Sequence, residues 1–204
     1  MAFKLSQRSL DRLEGVKPDL VNVVKRAIEL TTVDFGVIEG VRTEERQKEL
    51  VAKGASKTMK SKHLDGNAVD LMVYVDGRGC WELNLYDEVA DAMRQAAIEE
   101  GVPVRWGCAW HIDNIEDYDG TMEDALNAYI DLRRSQGKRP FLDGPHFELA
   151  GGAAIRAQAH PLLYEGCLLL QCCALRAVIK PAATVHYQRL SARGRAMTSG
   201  RPRI

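Results

Sequence analysis

Two short stretches, far apart along the chain, restrict what it can fold into more than any other feature. They are Ser61-Lys62-His63-Leu64-Asp65-Gly66-Asn67-Ala68-Val69-Asp70 and Asp143-Gly144-Pro145-His146-Phe147-Glu148-Leu149. Together they hold two histidines and two aspartates, donors suited to one zinc ion and one general base. A catalytic zinc uses three protein ligands and keeps its fourth position for water, and His63, Asp70 and His146 form such a set. His63 and Asp70 are seven residues apart, so in one unbroken strand they would face opposite sides. The chain must bend between them, and Gly66 is where a turn or close approach is cheapest. Beyond the bend, residues 68–75 are apolar and partly β-branched and read as a strand buried on both faces. A charged Asp70 there demands a partner or a metal. Asp143 lies three residues before His146 across the turn-forming pair Gly144-Pro145, which brings carboxylate and imidazole to one centre. There Asp143 would take a proton from the activated water and hand it to the leaving amine. Glu148, on the same strand face as His146, reads either as a partner orienting a ligand histidine or as an ordinary strand charge.

The pattern Ser-x-His-x-x-Gly-x-Ala-x-Asp, followed at a distance by Asp-x-x-His, resembles the zinc peptidases grouped with the D-Ala-D-Ala metallopeptidases, lysostaphin and the hedgehog signalling domain. Within that group it is most similar to phage endolysins that act as L-alanyl-D-glutamate peptidases. The opening Met1-Ala2-Phe3-Lys4-Leu5, the run Val16-Lys17-Pro18-Asp19-Leu20, Gly40-Val41-Arg42-Thr43, and Arg105-Trp106-Gly107 with Trp110 stand in the same order, so residues 1 to about 150 are covered. The resemblance implies zinc on His63, Asp70 and His146, Asp143 as catalytic base, and Arg42 holding substrate or polarising the scissile carbonyl. Trp110 and His111 are candidate substrate or transition-state contacts, and Ser61 and Glu148 candidate supports for the ligands. One departure is Ala109, where relatives often carry an acid just before the tryptophan.

The implied fold is α+β, a small, mainly antiparallel sheet with helices on one face and the zinc cleft on the other. The implied reaction is cleavage of a peptidoglycan stem peptide between L-Ala and D-Glu, leading to host cell lysis. The alternatives are a D-Ala-D-Ala carboxypeptidase or dipeptidase, and a zinc-stabilised wall-binding domain without activity. The expected partner is peptidoglycan, not nucleic acid, and the expected state is a monomer without stable membrane insertion.

Charge is unevenly distributed. Residues 1–150 hold 20 Lys and Arg against 27 Asp and Glu, whereas residues 151–204 hold 8 against 1. Five cysteines at 80, 108, 167, 172 and 173 form no disulfide framework and fit a reducing cytoplasm. The opening residues lack an apolar core of signal-peptide length, so the expectation is cytoplasmic synthesis, with a holin releasing the enzyme to the wall.

Along the chain, helices are expected over Ser6–Glu14, Pro18 to about Leu30, after Thr43 to Lys53, Leu85 to Glu100, and from the Thr121/Asp124 capping pair to about Gln136. Strands are expected over Phe35–Val41 and Val102–Trp106, with a turn at Asp76-Gly77. Lys57, Lys60 and Lys62 make the loop before His63 basic; it reads either as a solvated loop or as a feature steering substrate carboxylates. Six acids in residues 111–124 raise calcium as a second cofactor, although their spacing is not the helix-loop-helix pattern. The expected domains are a catalytic unit, 1–150, and a basic, poorly ordered extension, 151–204. The extension reads as a surface-binding tail or as sequence past the natural end of the enzyme; the second is preferred because the matched domain is complete by Leu149.

Overall fold

A computed structural model describes residues 2–56 and 58–151; the expectations for the extension fall outside that range. The order is α1 (Gln7–Arg12), α2 (Pro18–Leu30), β1 (Asp34–Glu39), α3 (Glu44–Ala52), a 3-10 turn (Lys62–Asp65), β2 (Ala68–Val75), β3 (Arg78–Cys80), α4 (Leu83–Glu100), β4 (Val104–Trp106), a second 3-10 turn (Ile115–Asp117), α5 (Met122–Ser135) and β5 (His146–Leu149). The strands form one antiparallel sheet in the order β1-β2-β5-β4, with β3 hairpinned onto the far end of β2.

Local chemistry sets most boundaries. The Ser6 hydroxyl accepts the Ser9 N–H at the start of α1, Thr43 does the same for Arg46 at α3, and Thr121 and Asp124 close a reciprocal capping box at α5, each satisfying amides that lack an intrahelical partner. Pro18 occupies the first turn of α2, where its missing N–H costs nothing. Leu20, Val23, Val24, Ala27 and Ile28 line one side of α2, and Val89, Ala90, Met93, Ala96 and Ala97 one side of α4; all are buried. They meet Phe35, Val37, Val69, Leu71, Val73, Trp106 and Phe147 from the sheet in one core.

This arrangement corrects the reading of β2 as a strand buried on both faces. Val69, Leu71 and Val73 are buried, but Asp70, Met72 and Tyr74 between them are only partly covered and Val75 is exposed. The helices of the core cover one face, so the strand alternates even though both sets of side chains are largely apolar. The first strand ends at Glu39 rather than Val41, and the short β3 was not anticipated.

The bend expected before Asp70 is present. Gly66 has φ +68° and follows the 3-10 turn. A Cβ at this position would stand 2.5 Å from the Gly15 carbonyl oxygen, so the residue is required both for its left-handed backbone and for the space. Among the described residues no helix is long and apolar enough to cross a membrane.

Gly66→Ala should therefore destabilise the fold by about 2 kcal/mol or more. Gly54→Ala, at φ +71° with no atom within 4 Å of its Cβ, should cost only about 1 kcal/mol. Chemical denaturation of the two variants checks this; equal losses would remove the argument from close packing.

Candidate active site

Three neighbouring strands carry the site as one row. Glu39 of β1 pairs with Asp70 of β2, and Asp70 pairs with His146 of β5. On the other side of His146, the Gly107 N–H donates to its carbonyl oxygen at 2.9 Å. Glu39 reaches this row through a bulge between Val37 and Glu39, an extra residue that re-aims side chains and is frequent beside active sites. Gly107 serves by having no side chain: a Cβ there would lie 2.3 Å from the Asp143 carbonyl oxygen and 3.1 Å from the His146 Cβ. The loop from Asp143 to His146 thus rests directly on the backbone, held by the Asp143 N–H to the Gly107 carbonyl at 3.0 Å and the His146 N–H to the Asp143 carbonyl at 3.1 Å.

His63 comes from the 3-10 turn. The Ser61 hydroxyl caps that turn by accepting the His63 N–H at 3.4 Å, and the Arg42 N–H holds the His63 carbonyl at 3.0 Å. The imidazole is 2% exposed. Its Nδ1 lies 2.8 Å from the Gly40 carbonyl oxygen, which can only accept, so Nδ1 carries the proton and Nε2 presents a lone pair. In His146, Nε2 faces Glu148 Oε2 at 3.2 Å, leaving Nδ1 to point inward. Glu148 is the carboxylate that stands against the outer nitrogen of His146.

The three inward atoms form a nearly regular triangle. His63 Nε2 and Asp70 Oδ1 are 3.2 Å apart, His146 Nδ1 and Asp70 Oδ1 3.1 Å, and the two nitrogens 3.3 Å. A tetrahedral site with metal–ligand bonds of about 2.0–2.1 Å has edges of about 3.3–3.4 Å, so the set fits such an ion. Two imidazole lone pairs and a carboxylate oxygen at these distances repel unless a cation or proton lies among them. In the metal-free protein a proton fills that role. Burial disfavours charge on His146, but hydrogen bonds and charge from Asp70 and Glu148 outweigh it and raise its pKa to about 9. Burial likewise pushes the Asp70 carboxyl up, and the two histidines more than reverse this, holding it well below the usual range.

Asp143 goes the other way. Its carboxyl is raised mainly by burial and also by the charge of Asp70, against opposing effects of His146, His63 and Arg42. It lines the same cleft as the triangle, and an elevated carboxyl pKa suits a group that must both take and release a proton.

Arg42 is less free than the resemblance implies. Its guanidinium pairs with Glu39, reaches Asp70 Oδ2 at 3.4 Å and donates to Gln47 Oε1 at 2.8 Å, and its side chain is 8% exposed. Gln47 in turn donates to Ser56 Oγ at 2.8 Å and to the Thr58 carbonyl at 2.6 Å, suspending the loop after α3 from the Arg42 cluster. Neither Glu39 nor Gln47 was anticipated. The bulge leaves no signature in the sequence, and Gln47 stands in a polar helix with nothing to mark it as buried.

The cleft measures about 530 Å³, room for a few residues of a peptide. Trp81, Trp110, Phe141 and Pro145 contribute apolar surface to it. The Trp110 ring stacks on His146 at 5.7 Å and on Phe141 at 6.2 Å, and the Arg105 guanidinium lies 5.2 Å from its centroid. Trp81, 63% exposed, could have been noticed as an isolated tryptophan after the Asp76-Gly77 turn. His111 is not among the cleft-lining residues; its ring stacks on Tyr129 at 5.7 Å. Among the described residues, His63, Asp70 and His146 are the one group of His, Cys, Asp and Glu side chains close enough to share an ion. Of the six acids of residues 111–124, Asp124 closes a capping box and Asp113 lies 3.5 Å from Arg105.

The chain is similar in sequence and fold to known proteins. The L-alanyl-D-glutamate peptidase of Escherichia phage T5 is 33% identical over 153 residues, spanning 73% of this chain and 99% of that protein. The crystal structure of the Serratia marcescens L-Ala D-Glu endopeptidase ChiX aligns at 34% identity with a TM-score of 0.53, covering 72% of this chain and 90% of that one. The family model described as phage L-alanyl-D-glutamate peptidase matches residues 1–150, and the chain belongs to that family.

Proposed function

We propose that this protein is a zinc-dependent endopeptidase that hydrolyses the amide between L-Ala and D-Glu in the peptidoglycan stem, lysing the host cell from which it is released. The observation that carries the reading is the triangle of His63 Nε2, Asp70 Oδ1 and His146 Nδ1 at 3.1–3.3 Å, in one cleft with the half-buried carboxylate of Asp143. Zinc held there supplies Lewis acidity, polarising the scissile carbonyl and making water acidic enough to attack near neutral pH. Asp143 accepts the proton of the attacking water and returns it to the departing amide nitrogen. Glu148 keeps the His146 Nε2 proton in place, as the Gly40 carbonyl does for His63 Nδ1, so that both rings present the correct nitrogen.

Arg42 acts chiefly by fixing the Asp70 oxygen that faces away from the triangle, and its positive charge at the cleft wall favours the developing oxyanion. Trp110, stacked on His146, supports both the ligand ring and the peptide that lies against it. The reaction does not use His111, and the reading carries zinc alone as cofactor. Release through a holin and action as a monomer complete the proposal.

Digestion of purified wall, with product masses read out, separates the alternatives. An endopeptidase frees the stem next to its first alanine, whereas a D-Ala-D-Ala carboxypeptidase removes a single terminal alanine. Asp143→Asn should lower kcat by about 100-fold or more while zinc content stays at wild-type level; undiminished activity would remove Asp143 as the base, and loss of zinc would make it structural.

Metal binding should also depend on pH in a fixed direction. Metal-free His146, raised to about 9, must lose its proton before Nδ1 can bind an ion, so apparent zinc affinity should climb as pH rises towards that value, about tenfold per unit. Calorimetry at pH 7 in buffers of different ionisation enthalpy should find about one proton released per zinc; release of none would contradict the assigned ligand.

A further inference from the structure

Two ammonium or guanidinium groups line the cleft among the described residues, Arg42 and Lys62, against the carboxylates of Glu39, Asp70, Asp143 and Glu148. Arg42 is tied to Glu39, Asp70 and Gln47 through its terminal nitrogens. Lys62 differs: it is half-buried and lines the cleft, but no carboxylate among the described residues lies within ion-pair distance of it, since every ion pair formed there involves other cations.

The backbone of Lys62 is anchored. Its carbonyl oxygen accepts the Asn67 N–H at 2.9 Å, which pins the 3-10 turn that it opens, and the next residue is the buried His63. Its Nζ lies 3.9 Å from where a Cβ on Gly151 would stand, placing the ammonium near the end of β5. It is close enough for its charge to help hold the Glu148 carboxyl below its ordinary range. The cleft therefore holds a cluster in which Arg42 and the histidines face the carboxylates, and beside it Lys62, a cation without an ion-pair partner among the described residues and suited to an anionic group of a ligand.

The substrate assigned above carries such a group in the right place. D-Glu of the stem is joined to the next residue through its side-chain carboxyl, so its α-carboxylate is free and sits on the carbon bonded to the scissile nitrogen. The Lys62 ammonium stands on the cleft wall on the side of Glu148 and the end of β5, where it would meet that carboxylate if the leaving residue lies along this wall. We propose that Lys62 is a specificity-determining residue that binds the free α-carboxylate of D-Glu on the leaving side of the scissile amide. This deepens the proposed function and rests on it.

The test uses two synthetic stem peptides, identical except that one carries the D-Glu α-carboxylate and the other the α-carboxamide. Zinc-loaded wild-type protein should favour the acid by about 10- to 100-fold in kcat/KM, and the preference should shrink with added salt. Lys62→Met should bring the ratio close to one, Lys62→Glu should invert it, and Lys62→Arg should retain most of it. Zinc content of each variant, measured alongside, shows that the neighbouring ligand His63 is still in place. A wild-type ratio near one, or a Lys62→Met ratio equal to that of wild type, overturns the assignment of Lys62 while leaving the peptidase reading intact. Failure of the zinc-loaded wild-type protein to cut either peptide between L-Ala and D-Glu overturns both.

Discussion

The carboxylate of Asp70 is the constraint around which the rest is arranged. It stands on the middle strand of the row, paired in register with Glu39 on one side and His146 on the other, where a charge without partners would cost several kcal/mol. One of its oxygens faces the two imidazoles at 3.1 and 3.2 Å and the other faces Arg42 at 3.4 Å. Each partner is then braced in turn: His63 by the Gly40 carbonyl, His146 by Glu148, and Arg42 by Glu39 and Gln47. A charged group in a sheet is tolerated here because both of its oxygens have partners.

The two sides of β2 divide the labour of the molecule. Val69, Leu71 and Val73 join the helices in a core that fixes the strand, while Asp70 on the opposite side looks into the cleft. Because side chains alternate along a strand, packing on one face sets chemistry on the other to within a fraction of a residue. The same holds for β5, where Phe147 is buried between His146 and Glu148. Rigid elements therefore hold two of the three inward atoms, and the third comes from a turn pinned by Ser61, Arg42 and Gly66.

What could be read from the sequence was whatever depends on neighbours along the chain. The caps at Thr43 and Thr121, the proline that starts α2 and the bend at Gly66 are local chemistry and stand where they were expected. The inward-facing residues were legible because their types and spacings are rare outside such a centre. What could not be read depends on partners distant in sequence. Met72 and Tyr74 look like core residues, yet both are only partly covered. Glu39 enters the row through a bulge that composition does not encode, and Gln47 is buried because Arg42 and the loop after α3 close around it. Arg42 was recognised by its position, but its ties to Glu39 and Gln47 were not.

The pairing of Asp70 with His146 has a bearing on how the sheet assembles. Slipping β5 by one residue against β2 would turn His146 and Glu148 into the helix-packed interior and bring Phe147 out to the cleft. Such a misaligned sheet would lose its apolar contacts and its capacity to hold an ion together. A cation held by Asp70 and His146 would therefore favour the correct alignment of these strands over its neighbours.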